Sequence, residues 1–181
     1  MKRMLAVVLS TLAISTVALA QGQAEIDKAL LAAPPNMKEA ATVIHWKSDY
    51  TYDTLKKGTN KLVCYDRTGQ PGQQPFAVEC TSPANLERVA QSLKLEAIAD
   101  KDARKAAFEA AEKDGKWTKP EFGSVWIHMS GPDAEHARKH VTIAVPGATT
   151  KTMGLPENGA QGGVWIMNAG STAAHLMTPG S

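Results

Sequence analysis

The sequence has 181 residues, with 20 Lys and Arg against 18 Asp and Glu, and it contains two cysteines. Two of the basic residues, Lys2 and Arg3, lie in an N-terminal segment that we expect to be removed, which leaves a chain without net charge. Such a chain offers no electrostatic basis for binding nucleic acid or a membrane surface. Its length fits one domain with its own hydrophobic core.

The first twenty residues have the pattern of a bacterial secretory signal peptide. A basic start is followed by an apolar stretch from Met4 to Val17, and the segment ends in Ala18-Leu19-Ala20. Signal peptidase accepts small residues at such positions, so we expect cleavage after Ala20. The apolar stretch is too short, and too often interrupted by hydroxyl groups, for a membrane anchor. We predict a signal peptide over residues 1–20 and a single secreted or periplasmic domain over residues 21–181.

The first part of the mature chain predicts one helix and then several short strands. Apolar residues recur with helical spacing up to Pro34-Pro35, which ends the pattern. Turn formers separate the segments that follow. The expected elements are a helix over Gln21–Ala33 and strands over Ala41–Trp46, near Tyr50, Tyr52 and Leu55, over Lys61–Tyr65 and over Phe76–Cys80.

The two cysteines are expected to form a disulfide bond. Cys64 and Cys80 lie in consecutive predicted strands, and a hairpin folded about Gly72 places them opposite each other. An oxidising compartment favours the bond. Neither cysteine belongs to a CxxC or haem-attachment pattern, and no histidine follows closely as a copper loop would require. A structural disulfide is therefore preferred to a redox or metal role.

Two helices are expected in the middle of the chain. The first begins with Ser82 as N-cap and Pro83 at the first helical position, and continues with a stripe of apolar residues. The second begins near Asp100 or Asp102 and ends at Gly115. It is rich in alanine, with Phe108 as its one large apolar residue, so we expect it at the periphery of the fold.

The C-terminal third predicts strands, several of which alternate with large residues on both faces. This pattern indicates a sheet that is covered on both sides for at least part of its width. The predicted fold class is α+β, with a mainly antiparallel sheet and two or three helices packed against it. The expected strands are Gly123–Met129, His140–Val145, Gly163–Asn168 and Ala174–Thr178.

Three segments resemble a group of uncharacterised secreted bacterial proteins. These proteins contain the segments "LREGTNGWTC", "HVMILVP" and "GGPWVMW…AHIMVP" in the same order. Here the corresponding residues are Thr54–Asn60 leading to Cys64, His140–Pro146, and Gly162–Met167 with Ala174–Pro179. The resemblance implies an exported single domain and carries no known activity, ligand or catalytic residue.

Histidine and methionine residues in the C-terminal strands suggest a soft-metal site. His175 and Met177 are two residues apart and would project from the same strand face. Imidazole and thioether groups suit copper, and imidazole also suits zinc. The candidate ligands are His128, His140, His175 and Met177. The spacing matches no recognised metal motif, so buried or surface histidines remain the simpler interpretation, and the identity of any cofactor stays open.

The sequence also contains residues that could form a hydrolytic site or an apolar pocket. Ser130, Asp133 and a histidine could form a hydrolytic triad, but no GxSxG motif or other activating context accompanies them. Three tryptophans of the strands, Trp46, Trp126 and Trp165, could line an apolar ligand pocket or simply fill the core. We predict an exported domain that binds a small ligand or a protein without catalysis, with a copper or zinc protein and a hydrolase as the alternatives.

Overall fold

The computed structural model describes residues 21–178. The predicted signal peptide therefore lies outside the described residues. Within residues 21–178, no helix is long and apolar enough to cross a membrane.

Eight strands form one sheet, in the order β2-β1-β3-β4-β5-β6-β8-β7. Strands β1 and β3 pair in parallel, and all other neighbours are antiparallel. The predicted α+β class with a mainly antiparallel sheet is confirmed. The strands are β1 (Thr42–Trp46), β2 (Tyr52–Lys56), β3 (Val63–Asp66), β4 (Phe76–Thr81), β5 (Val125–Gly131), β6 (Arg138–Ala144), β7 (Trp165–Met167) and β8 (His175–Met177).

Helices cover both faces of the sheet. Helix α1 occupies residues 21–29 and stops short of the predicted end at Ala33, where the chain turns before the two prolines. The other α-helices are α2 (Leu86–Glu96), α3 (Lys101–Lys113) and α4 (Thr150–Met153), and short 3-10 helices span Pro35–Met37, Pro83–Asn85 and Gly159–Gln161.

The core has one layer on each side of the sheet. On one side, Ala29 and its neighbours pack against Val43, Cys64, Val78 and Ile127. On the other side, α2 buries an apolar stripe, which packs on apolar residues of β1 and β3. The stripe consists of Leu86, Val89 and Leu93. Helix α3 buries none of its residues, so its predicted peripheral place is confirmed.

The disulfide between Cys64 and Cys80 is present, and the two cysteines are paired directly across β3 and β4. Because side chains alternate along a strand, their neighbours Tyr65 and Glu79 point to the opposite face. The same register places Tyr65 opposite Glu79. The cross-link on the α1 side therefore fixes the pairing of polar residues on the α2 side.

The start of α2 differs from the prediction. Ser82 precedes a 3-10 turn at Pro83–Asn85, and its side chain makes no capping bond. Its hydroxyl instead donates to Glu121 Oε2 at 2.6 Å. A carboxylate accepts more strongly than a neutral partner. The Ser82 hydroxyl, which the sequence predicts as the helix cap, therefore binds Glu121 in the connection before β5 instead.

The segment before the first cysteine owes its glycine to a close approach of the backbone. A Cβ atom on Gly58 would lie 2.2 Å from the Ala40 carbonyl oxygen. The same oxygen accepts bonds from the backbone N–H groups of Thr59 and Asn60. The Asn60 side chain then donates to Met37 O at 2.9 Å. This motif, which carries part of the resemblance, thus joins the β2–β3 connection to the chain that leads into β1.

A candidate ligand-binding cleft

A cleft of about 270 Å³ lies between α2 and the sheet. Helix α2 contributes Arg88, Ser92 and Glu96, which share one face because they are four residues apart. The sheet contributes Trp126 from β5. The cleft is also lined by Arg67, Glu79, Trp117, Ala173 and His175.

One wall of the cleft is a buried polar network centred on Glu79. Tyr65 donates from its hydroxyl to Glu79 Oε1 at 2.6 Å, and Arg67 donates to Oε2 at 3.3 Å. His128 Nδ1 lies 3.3 Å from the same Oε2. Arg67 also contacts Glu96 through Nη2, so one guanidinium joins two carboxylates. The Arg67 and Glu79 side chains are only 6% and 7% exposed, so their charges depend on each other for compensation.

The pKa values of the two carboxylates in this network, Glu79 and Glu96, are shifted in opposite directions. Burial alone would raise the pKa of Glu79, but its bonds to His128, Arg67 and Tyr65 outweigh burial and hold the pKa below its ordinary value. Burial raises the pKa of Glu96, and Arg67 offsets only part of that effect. Burial and the adjacent Glu79 raise the pKa of the Tyr65 phenol. Glu79 is therefore a buried anion, and its acceptor oxygens are occupied.

Arg88 is a second buried cation, and it has no acidic partner within ion-pair distance among the described residues. It is 5% exposed. Its Nη1 donates to Thr118 O at 2.7 Å and to Thr172 Oγ1 at 3.2 Å. Its Nε and Nη2 groups have no hydrogen-bond partner in the described part of the chain, and both keep some exposed surface in a residue that lines the cleft. One edge of the guanidinium is therefore not occupied by the protein's own acceptors.

Arg88 is held in place by its neighbours, and it stays charged at neutral pH although burial disfavours the charge. Burial lowers its pKa to about 10, and the charge of Glu112 partly opposes that effect. The guanidinium carbon lies 3.6 Å from the ring centroid of Trp117, a stacking contact that orients the group. Trp117 is held in turn by a bond from Nε1 to Ser92 Oγ at 3.2 Å. Arg88 is thus a positioned cation at neutral pH.

Glu112 is an acidic residue whose charge acts on Arg88, and its carboxylate already accepts hydrogen bonds from Thr172. It accepts from the backbone N–H of Thr172 at 2.6 Å and from the Thr172 hydroxyl. Thr172 accepts from Arg88 through the same hydroxyl oxygen. The threonine therefore lies between the two charges, and Glu112 makes no ion pair with the guanidinium.

The structure separates His175 from the other two predicted histidine ligands along the sheet. His128 and His140 are paired directly across β5 and β6. His175 pairs with Ala144, four residues further along β6 than His140, which is roughly 13 Å at strand spacing. Because β8 runs antiparallel to β6, Met177 lies nearer than His175 to the level of His140. The metal site at these four residues stays a prediction.

The histidine ring of the cleft is oriented by the backbone. His175 Nδ1 lies 2.8 Å from Ala173 O, and the ring makes no bond to a carboxylate or hydroxyl among residues 21–178. In the same part of the chain, no group of three or more His, Cys, Asp or Glu side chains is arranged to hold a metal ion.

The residues suggested for a hydrolytic triad do not assemble. Asp133 accepts from the backbone N–H of His136 at 2.8 Å, and its carboxylate lies 2.8 Å from Nδ1 of the same residue. Both side chains are exposed in the turn after β5. Ser130 pairs across the sheet with Arg138 and bonds to neither side chain within the described region.

The tryptophans are divided between core and cleft. Trp46 packs edge-on against Tyr52 and Tyr65, with ring centroids 5.4 and 5.8 Å apart. Trp165 lies on β7 against Gly159, away from the cleft. Trp126 lines the cleft as the aromatic hypothesis allowed, but its aromatic companion there is Trp117, which lies in the connection after α3.

Sequence reasoning missed Arg88 and Trp117 as site residues. The sequence signal for Arg88 is a polar stripe on α2, beside the apolar one, that consists of Arg88, Ser92 and Glu96. Polar residues at four-residue spacing on a helix ordinarily face solvent, so that signal does not reveal burial. The place of Trp117 in the cleft depends on where residues 117–118 cross α2, which the sequence does not reveal.

Comparisons of the chain with protein-family models, with curated proteins and with solved structures found no match.

Proposed function

We propose that this protein is a non-catalytic binding protein for a small monoanionic carboxylate, which Arg88 holds in the cleft. The observation that carries the proposal is a positioned, 5% exposed cation without an acidic ion-pair partner in the described region, with one guanidinium edge open to a cavity. A guanidinium binds a carboxylate through two parallel hydrogen bonds, which suits an edge with two free donor groups.

The surrounding charges favour a single negative charge on the ligand. Arg67 and Arg88 balance the charges of Glu79 and Glu96 in the cleft, but both carboxylates pair with Arg67, so Arg88 is the arginine that a ligand anion can pair with. A doubly charged phosphate would bring a second negative charge close to the two carboxylates, with no second free cation to offset it. A monocarboxylate brings only the one negative charge that Arg88 can pair with. The Trp126 ring and the aliphatic residues of the wall offer apolar contact to the rest of the ligand.

The test is isothermal titration calorimetry of the protein with acetate, hexanoate and benzoate. Inorganic phosphate and benzamide serve as the dianionic and neutral controls. We expect binding of at least one carboxylate, no binding of benzamide, and a loss of at least tenfold in affinity in R88M. The R138M variant removes an exposed arginine of β6 and should bind like the wild type. Equal affinity in R88M and the wild type would overturn the proposal, as would the absence of binding tighter than millimolar for all three carboxylates.

R88M is suited to this test because its fold should persist. Methionine fills a similar volume and removes a buried charge that has no ion-pair partner in the described region, at the cost of the bonds to Thr118 O and Thr172 Oγ1. We expect R88M to stay folded while it loses the ligand, and its melting curve checks the fold.

We also propose that the chain is exported and processed after Ala20. The pattern of the first twenty residues and the disulfide of the folded domain both support this. Intact mass of the protein recovered from the exported fraction is expected to correspond to a chain that begins at Gln21, with two hydrogens fewer than the reduced form. Recovery of the chain with residues 1–20 still attached would contradict processing. Two thiols that alkylate without reduction would contradict the bond.

A further inference from the structure

An apolar groove adjoins the cleft on the α3 side. It has a volume of about 570 Å³, and it shares Trp117, Asn168 and Ala173 with the cleft. Its apolar lining comes from Phe108 and Ala169 together with the shared Trp117 and Ala173. Glu109, Glu112 and Lys113 stand at its edge and contribute the charges that face it. The groove and the cleft therefore lie side by side, with Arg88 in the cleft and Phe108 in the groove.

Two ring contacts connect the cation to the groove. Arg88 stacks on Trp117 with 3.6 Å between the guanidinium carbon and the ring centroid. Trp117 in turn meets Phe108 edge-on, with ring centroids 5.2 Å apart. A ligand whose charged end binds Arg88 would therefore extend along Trp117 towards Phe108. Only 5% of Arg88 is exposed, so a slender ligand reaches the guanidinium more readily than a folded protein surface does.

Helix α3 has an unusual composition that fits this surface. None of its residues is buried, and Phe108 is its one large apolar side chain. Phe108 contributes little to the core under α2, because it packs against Trp117 at the junction of cleft and groove. A ligand chain lying in the groove would cover both rings from water.

We propose that the ligand is an amphipathic monocarboxylate, with its carboxylate on Arg88 and an unbranched apolar chain along Trp117 and Phe108. This inference rests on the proposed function, because it assigns the rest of the molecule whose charged end the cleft binds. Ligand sites of this kind combine mostly apolar walls with a few polar groups that fix orientation.

Calorimetric titrations with butyrate, hexanoate, octanoate and decanoate, each kept below its aggregation concentration, test the inference. Each methylene group moved from water into the groove should tighten binding by about fourfold, until the chain extends past Phe108. The F108S variant should lose at least half of this dependence on chain length. F122S is the matched control, because Phe122 is 69% exposed and lies outside the groove, and it should retain the full dependence. Melting curves confirm that both variants are folded.

The outcomes separate this inference from the proposed function. If butyrate and octanoate bind equally tightly and R88M binds neither, Arg88 holds carboxylates and the apolar chain is overturned. If F108S keeps the full dependence on chain length, the chain lies elsewhere and the groove assignment is overturned. If no carboxylate binds the wild type, the proposed function fails and takes this inference with it.

Discussion

Replacing Glu79 with glutamine is expected to lower the free energy of unfolding by about 3 kcal/mol or more, because it breaks a buried ion pair from one side. Glutamine can still accept from the Tyr65 hydroxyl, but it presents no charge to Arg67, whose side chain is only 6% exposed. Arg67 would then have Glu96 as its one remaining carboxylate. Urea denaturation of E79Q and the wild type at neutral pH measures the difference.

The matched control is E87Q, which makes the same substitution at an exposed position on α2. Surface changes of this kind ordinarily shift stability by less than about 0.5 kcal/mol. A loss of less than about 1 kcal/mol in E79Q would contradict the view that this network depends on the Glu79 charge.

The stability lost in E79Q should also depend on pH. The folded pKa of Glu79 lies below its ordinary value of 4.5, so its ionised form stabilises the fold fully above that value. The contribution declines as the pH falls from 4.5 through the lower folded pKa. The difference between wild type and E79Q should therefore shrink in that window. The raised pKa of Glu96 acts in the opposite sense, and the Glu79 charge contributes to it, so the comparison reports Glu79 together with its effect on Glu96.

Removal of the disulfide is the second large effect, with an expected loss of about 3 kcal/mol for a closed loop of about 15 residues. The bond joins residues 16 apart, and both cysteines are buried between paired strands. The C64A/C80A double variant avoids leaving a reactive thiol, and its urea midpoint is compared with that of the oxidised wild type. A variant as stable as the oxidised protein would show that the bond does not constrain the unfolded chain.

The hairpin that carries the disulfide could be predicted because its signals are local. Two short apolar runs flank one group of turn formers, and the cysteines are equally distant from Gly72. Strand alternation then fixes which side chains share a face. The observed pairing of Cys64 with Cys80 follows directly from these features.

The histidine hypothesis shows that local sequence signals do not predict which residues of different strands are neighbours. Spacing along one strand places His175 and Met177 on the same face, and it predicts nothing about their neighbours on β6. A long segment with α4 and β7 lies between β6 and β8, and in the resulting register His175 pairs with Ala144 rather than His140. That offset of four residues separates His175 from His140 along the sheet.

The cleft could not be predicted because its contacts are distant in sequence. Arg88 bonds to Thr118 and Thr172, which are 30 and 84 positions away. A lone arginine on an amphipathic helix is typical of a solvated face. Its burial follows from two segments crossing over α2, and only the folded chain contains that information.

The most direct test of the central claim is the NMR signal of the Arg88 Nε–H group during titration with hexanoate. If the carboxylate binds the free edge of the guanidinium, this signal should move with ligand concentration, and the indole N–H signal of Trp117 should move with the same affinity. The signals are assigned by their absence in R88M and in W117F. A titration in which calorimetry detects binding while the Arg88 signal stays in place would contradict the account.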